Sequence, residues 1–388
     1  MARDSVTPES PLALLRAARA RIDLDRLGAN YDAIRAAASL PVMPVVKADA
    51  YGHGASTVGR ALVAKGAPRL AVAYVEEGVA LRQAGIAVPI VVLGGFPPAQ
   101  AAVLVPYDLT PVVSTPQTLA ALIAHGRGAA RPRAHVKVDT GMGRLGFAAE
   151  AFVEAALRLR DSGIEVEGAM THLASADEDA GITARQLDRF DEAVARLAAR
   201  GMRPPLIHAC NSAGLAFVRK SHTLVRPGLL VYGVRPRPLS PEIDVQPVMQ
   251  VSADIALVKD VPPGTRVSYG GRWVAQRPSR IATIPIGYED GVPRTDRMRD
   301  EGAFRVGRGR VPVAGTVCMD LTMADVTDRP DVVDGSEAVL FGDDPHAWDL
   351  AAWAGTTSWE ILTSVGSRVP RVYVQGGRVV HTESLYKP

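Results

Sequence analysis

Lys47 ends an apolar run, Val42-Met43-Pro44-Val45-Val46, and is followed by Ala48-Asp49-Ala50-Tyr51-Gly52-His53-Gly54. The chain carries six lysines against 38 arginines, so lysine is not its default cation. A position that keeps lysine in this background points to an amine that must lose its proton, which arginine cannot do. The plain alternative is a surface lysine closing a strand. Four other polar clusters follow apolar stretches in the same way: Asp139-Thr140-Gly141-Met142-Gly143-Arg144, Met170-Thr171-His172, His208-Ala209-Cys210-Asn211-Ser212 and Val225-Arg226-Pro227-Gly228. Singly, each has an ordinary explanation. His172 and His208 suit structural hydrogen bonds, Arg144 a solvated charge, and Asn211-Ser212 a helix N-cap.

These clusters need elements to bring them together. Short apolar strand candidates occur at residues 42–47, 70–74, 90–94, 109–113, 134–139, 166–172, 206–209 and 224–226, eight in all. Between them, residues 56–65, 115–125, 148–160 and 184–200 space their apolar side chains as helices do. Eight β/α alternations in about 200 residues predict a parallel (β/α)8 barrel of the TIM type rather than an open sheet. After Pro236-Arg237-Pro238 the pattern changes. Residues 248–258, 266–269, 280–285, 311–323, 338–341 and 369–374 read as strands between Gly, Pro and Asp turns, with one amphipathic helix over 348–364. The expected organisation is a barrel over 12–244 and a mostly β domain over 245–388. Residues 1–11 form a polar tail, placed against the β domain.

In such barrels chemistry collects at the C-terminal ends of the strands. Lys47, Arg144, His172, His208, Asn211-Ser212 and Arg226 all fall on that one rim, and the coincidence outweighs the ordinary explanations. The loops after strands 7 and 8 often bind phosphate through backbone N–H groups. Ser212 opens one such loop and Gly228-Leu229 the other. A phosphate there and a lysine across the mouth suit pyridoxal phosphate, with the lysine as covalent anchor and the ring as electron sink.

Composition narrows the classes. Hydrophobic residues at 47% and charged residues at 22% describe a soluble globular protein. A net charge of +3, scattered along the chain, gives no case for nucleic acid. No apolar run approaches the ~20 residues of a membrane span, and the first ten residues lack the apolar core of a signal peptide. Two cysteines, Cys210 and Cys318, make neither a disulfide framework nor a metal cluster, and suit a reducing cytoplasm.

The motifs V-V-K-A-D-A-Y-G-H-G, V-K-V-D-T-G-M-G-R-L-G-F, T-H-L-A-S-A-D, H-A-C-N-S, V-R-P-G, V-S-Y-G, G-Y-E-D-G, G-T-V-C-M-D and R-V-P-R occur in this order over nearly the whole chain. In this the sequence resembles the alanine racemases, fold-type III pyridoxal-phosphate enzymes. The resemblance implies Lys47 as the Schiff-base lysine and one acid–base group at Cα. It implies Tyr269, from the partner subunit of a homodimer, as the other. Tyr51, Ser212, Gly228 and Leu229 match phosphate-binding positions, and Asn211 a neighbouring cofactor position. Arg226 matches the arginine facing the pyridine nitrogen, with His208 and His172 behind it. Arg144 and the backbone N–H of Met319 match the groups that hold the substrate carboxylate. Lys137 matches a lysine that some relatives carbamylate.

The chemistry is consistent with those roles. Racemisation removes a proton from one face of Cα and returns one to the other, so two bases on opposite faces suffice. Arginine opposite the ring nitrogen stays charged and leaves that nitrogen unprotonated, which weakens the electron sink and disfavours transamination. The departures are Trp359, where the family carries a tyrosine expected to touch the phosphate and narrow the entrance, and Asp49 and Glu289. Trp359 opens a second reading, a racemase for another small amino acid such as serine. A non-catalytic pyridoxal-phosphate homeostasis protein would lack the second domain. A fold-type III decarboxylase would carry glutamate, not Arg226, toward the ring nitrogen.

Overall fold

The computed structural model describes residues 16–126 and 132–385. The chain divides into two compact units, residues 27–245 and the remainder. The polar tail over 1–11 lies outside the described residues. The barrel expected to start at residue 12 starts later, because β1 (Ala18–Asp23) joins the strands of the C-terminal unit.

Six strands of the first unit form one parallel sheet in chain order: β2 (Leu70–Val72), β3 (Ile90–Val92), β4 (Leu109–Val113), β5 (Arg133–Lys137), β6 (Glu165–Met170) and β7 (Leu206–His208). β2, β3 and β4 are buried along their whole length, as strands covered on both faces must be. The other two expected strands are single parallel bridges, Val42 to Val225 and Val45 to Ala71. Prolines explain this: Pro41, Pro44 and Pro227 have no N–H to give a ladder. They serve as acceptors, from Val225 N–H at 3.1 Å, Ala71 N–H at 3.0 Å and Val45 N–H at 2.9 Å. With Thr223 N–H on Ile207 O and Arg226 N–H on Cys210 O, both 2.9 Å, the eight segments close into a ring.

The crossovers are the expected helices shifted by a few residues. In Ala180–Ala199, Asp179 caps the start through Ile182 N–H at 2.8 Å. Thr183, Gln186, Leu187, Phe190, Val194 and Leu197 turn inward at helical spacing.

In the C-terminal unit, β8 (Met249–Asp254) and β9 (Leu257–Val261) break the expected strand over 248–258. β10 (Arg266–Val267) pairs with β11 (Trp273–Val274), and β12 (Ser279–Ile284) lies between β9 and β15 (Thr322–Asp325). β13 (Ala303–Val306), β14 (Gly309–Pro312), β16 (Glu337–Phe341), β17 (Arg371–Gln375) and β18 (Arg378–Glu383) join β8 and β1 in a seven-stranded sheet, order β14-β13-β16-β8-β1-β17-β18. β1, β11, β13 and β18 match no strand expected from the sequence. The expected strand over 311–323 is instead β14, a loop and β15, and the loop carries Cys318 and Met319. The expected helix over 348–364 is two, Ala347–Ala354 and Ser358–Thr363, separated at Gly355 with φ 73°. Among the described residues no helix is long and apolar enough to cross a membrane.

Candidate active site

Lys47 stands where the first barrel segment stops. The chain there coils the wrong way: Ala48, Asp49, Ala50 and Tyr51 all have φ of 52–54°, and Gly52 has 79°. A left-handed turn of L-residues costs roughly 1–2 kcal/mol per non-glycine residue, so the surroundings must hold it. Ala50 N–H reaches Val46 O and Gly52 N–H reaches Ala48 O, each at 2.9 Å. Asp49 Oδ1 accepts Ala55 N–H at 2.7 Å, tying the turn to the next helix. Glu77 accepts Ala48 N–H at 2.6 Å on one oxygen and Ala73 N–H at 2.7 Å on the other.

The turn delivers Tyr51 into the interior, 7% exposed, its phenol pushed well above the ordinary value by burial. A Cβ at Gly228 would lie 2.3 Å from Tyr51 Oη, so only glycine fits beside that hydroxyl. Ser212 Oγ accepts the N–H of Gly228 at 3.0 Å and of Leu230 at 3.3 Å. Its own hydroxyl proton is then directed elsewhere. Leu229 begins the short 3-10 turn that follows. Asn211 Oδ1 accepts Gly214 N–H at 2.9 Å, the helix-capping role that its sequence context also allowed. Cys210 is buried, its thiol pushed up to about 12 by burial, and is inert.

Arg226 is 2% exposed. It donates through Nη1 to His208 Nδ1 at 2.7 Å and through Nη2 to Thr171 O at 2.9 Å and Ala209 O at 3.1 Å. Burial lowers it to about 10. His172 is neutral, driven well below the ordinary histidine value first by burial and then by Arg226, Lys137, Arg144 and Lys47. Gln186, unread in the sequence, clamps this loop by accepting Ala174 N–H at 2.8 Å and donating to His172 O at 3.2 Å.

Lys137 ends β5, is 3% exposed, and is lowered to about 8 by burial and then by Arg144 and Arg226. No hydrogen bond or ion pair is found for its amine among the described residues. Arg144 rides on a loop built by Asp139, whose carboxylate accepts Gly141, Met142 and Gly143 N–H at 2.9 Å each. Lys47, open to solvent in the single chain, is lowered by burial within the mouth and by Arg144, against Glu77. The barrel mouth therefore concentrates cationic side chains, with few acids to balance them. That arrangement calls for a bound anion. The Tyr51–Gly228–Ser212 cradle suits a phosphate, and an amine of lowered basicity suits a carbonyl. The residues fit pyridoxal phosphate.

The C-terminal unit carries the remaining expected site residues. Tyr269 follows β10 and is 68% exposed. Ser268, with φ 63°, bonds through Oγ to Thr316 O, and Thr316 Oγ1 donates to Tyr269 O at 3.1 Å. Met319, 49% exposed, lies in the same loop. Met319 O accepts Glu289 N–H and Arg368 Nη2, both at 3.2 Å, and Cys318 O accepts Tyr288 N–H at 3.0 Å. Glu289 thus acts here through its backbone. Asp290 is fully buried between Arg16 Nη1 at 2.6 Å and Arg368 Nε at 2.7 Å. Trp359 is partly exposed in the helix Ser358–Thr363. No group of three or more potential metal-binding side chains is found among the described residues. Glu77 went unread, and Asp290 and Arg368 were read only as members of G-Y-E-D-G and R-V-P-R, because their partners lie far away in sequence.

Residues 22–236 match the family Alanine racemase, N-terminal domain, and residues 248–373 match Alanine racemase, C-terminal domain. An alanine racemase of Halothermothrix orenii is 43% identical over 370 residues, 91% of this chain and 96% of the relative. A solved alanine racemase of Clostridium difficile 630 superposes with TM-score 0.90 at 31% identity, covering 96% of this chain and 99% of the other. That of Streptomyces coelicolor A3(2) has TM-score 0.86 at 40% identity, covering 94% and 100%.

Proposed function

Because the chain belongs to the alanine racemase family, we propose that it interconverts L- and D-alanine with pyridoxal phosphate, using Lys47 and the partner subunit's Tyr269 as its two bases. The observation that carries this reading is the cationic mouth: Lys47, Lys137 and Arg144 without ion-pair partners among the described residues, beside buried Arg226. When bound, the cofactor supplies an electron sink for the charge left at Cα.

The residues divide the work. Lys47 carries the cofactor, and its lowered basicity lets the amine take a proton from Cα near neutral pH. Tyr269 gives a proton to the opposite face; in the reverse direction the two exchange tasks, so one proton enters for each that leaves. Arg144 and Met319 N–H hold the substrate carboxylate. Tyr51, Ser212, Leu229 N–H and the space at Gly228 take the phosphate, with Asn211 close by. Arg226 has only donors, so it turns one toward the ring nitrogen and leaves that atom without a proton of its own. His172 and His208 stand behind it as neutral imidazoles. Lys137 as a carbamate would pair with Arg144 and end its isolation.

A base supplied by the partner requires a homodimer with two composite sites. The expected setting is the cytoplasm, supplying D-alanine for peptidoglycan precursors. Trp359 supports a second reading, in which serine or another small amino acid is the main substrate. Purified protein incubated with pyridoxal phosphate and each enantiomer of alanine and serine, followed by chiral chromatography, separates the two. Failure to invert alanine would overturn the first reading, and failure to invert either alanine or serine would remove serine from the second.

A further inference from the structure

The barrel interior contains a chain of polar side chains that the two-base scheme does not use beyond its first members. From the rim inward, Arg226 Nη1 lies 2.7 Å from His208 Nδ1, His208 Nε2 lies 2.8 Å from His135 Nδ1, and His135 Nε2 lies 3.2 Å from Glu167 Oε2. Glu167 Oε1 meets Arg69 Nη1 at 2.9 Å. His135 and His208 are fully buried, Glu167 is 8% exposed, and the two rings meet edge to face with centroids 4.9 Å apart.

Each bond in this chain has one permitted direction. A guanidinium can only donate, so His208 Nδ1 must hold a lone pair. Burial keeps His208 neutral, so its proton sits on Nε2 and is donated to His135 Nδ1. His135 then carries its proton on Nε2 and donates to the carboxylate, which can only accept. Arg69 supplies the carboxylate's counter-charge. The two ends impose the same direction independently. Were either ring to take the other tautomer, an N–H would face an N–H.

The backbone is shaped to admit this chain. β5 and β6 slip register between Ala134 and His135, which leaves Glu167 as the extra residue of a bulge. The next residue is Gly168, where a Cβ would lie 2.5 Å from the His135 ring. A barrel interior normally fills with branched apolar side chains. Here a bulge and a glycine make room for an imidazole and a carboxylate.

We propose that Glu167, counter-charged by Arg69, is a positioning residue for the racemase site. It fixes the tautomer of His135, whose Nδ1 then accepts from His208 Nε2, and thereby holds His208 and the orientation of Arg226 toward the cofactor ring. This rests on the function proposed above. Because Glu167 is held below the usual carboxylate range, with burial opposed by its His135 and Arg69 partners, it stays charged at working pH. Its effect should then be constant across that range.

The test uses holoenzyme labelled with [15N]histidine, in wild type, Glu167→Gln and Arg69→Met, the last leaving the carboxylate in place without its partner. Long-range 1H–15N spectra read the tautomers, with His135→Asn assigning the signals. In wild type both rings should be Nε2-protonated. Glu167→Gln, whose amide can either donate to or accept from His135 Nε2, should give mixed tautomers at His135, lower kcat about tenfold with KM changed less than about twofold, and raise pyridoxamine phosphate formed per turnover. Arg69→Met should move the same readouts in the same direction by a smaller factor, and stands in if Glu167→Gln does not fold. Arg69→Lys should restore them. An Nδ1-protonated His208 in wild type would overturn the proposal. So would either charge-removing variant folding with unchanged tautomers and an unchanged pyridoxamine yield. The spectra are read whether or not the protein inverts alanine, so a wild type that racemises nothing refutes the proposed function separately.

Discussion

Glu77 accepts the N–H of Ala48 at 2.6 Å, one residue beyond Lys47 and at the start of the left-handed turn. Its second oxygen takes the N–H groups of Ala73 at 2.7 Å and Tyr74 at 3.1 Å, so one carboxylate binds the Lys47 segment to the end of β2. Glu77→Gln leaves one oxygen for three N–H donors, and an N–H left without a partner costs about 1–3 kcal/mol. Pyridoxal-phosphate affinity should fall about tenfold and the thermal midpoint should drop. Unchanged affinity in an absorbance titration would remove Glu77 from the positioning of Lys47.

Arg226→Glu reverses the charge that would face the ring of the proposed cofactor and sets a carboxylate against the lone pair of His208 Nδ1. A carboxylate there would stabilise the protonated form of the ring nitrogen and deepen the sink. Pyridoxamine phosphate formed per racemisation event should rise about tenfold, by liquid chromatography of the released cofactor. An unchanged product profile counts against this role for Arg226.

Lys137 should behave as two different groups. With its folded value at about 8, below the ordinary lysine value of 10.5, folding penalises its charged form. The penalty is full below pH 8 and disappears as pH rises toward the unfolded value. Lys137→Met should therefore stabilise cofactor-free protein at pH 7 by about 1–3 kcal/mol in urea melts, while lowering activity. Intact mass of native protein in bicarbonate should carry one added carbon dioxide. A bare amine there rejects the carbamate.

Composite sites predict complementation. Lys47→Ala and Tyr269→Phe chains should each be inactive alone, whereas a mixed dimer would have one site with both wild-type residues. Random reassortment should recover about a quarter of wild-type activity. No recovery, in mixtures where dimer exchange is verified by mass, would mean that each site lies within one chain.

Asp290 couples the loop of Met319 to Arg368 and Arg16. Burial pushes its carboxyl up, but Arg16, Arg368 and Gly287 N–H outweigh this and hold it below the usual carboxylate range. Its stabilisation is thus present above the unfolded carboxylate value and is lost as pH falls through the lower folded value. Asp290→Asn leaves two arginines facing a neutral amide and should cost about 3–5 kcal/mol. Acid melts of the variant should lose part of the wild-type slope, and KM for alanine should rise more than kcat falls. Equal stability at pH 7 would refute the buried-pair account.

Much of the barrel was legible because its signals are local. The apolar runs expected as strands over 134–139 and 206–209 end within two residues of the observed ends Lys137 and His208, and helical spacing over 184–200 marks a crossover. The errors arose where a local pattern had a distant partner. Residues 18–23 fall inside the expected barrel and were given no strand, yet as β1 they insert between β8 and β17, more than 200 residues away in sequence. The run over 311–323 is apolar enough to be one strand, but contacts of Cys318 and Met319 with the Tyr288–Asp290 turn pull its centre into a loop.

The residue types at the rim, and so the chemistry they permit, were set by sequence alone, because a lysine or arginine carries its proton behaviour and donor geometry wherever it lies. Tertiary structure decided how those groups are tuned and held. Left-handed φ at Ala48 to Tyr51 requires Glu77 to arrive from outside the turn and Asp49, within it, to reach the N–H of Ala55. The bulge at Glu167 and the gap at Gly168 exist only where β5 meets β6. Strain and buried hydrogen bonds are properties of neighbours brought together by folding, and no single stretch of sequence contains them.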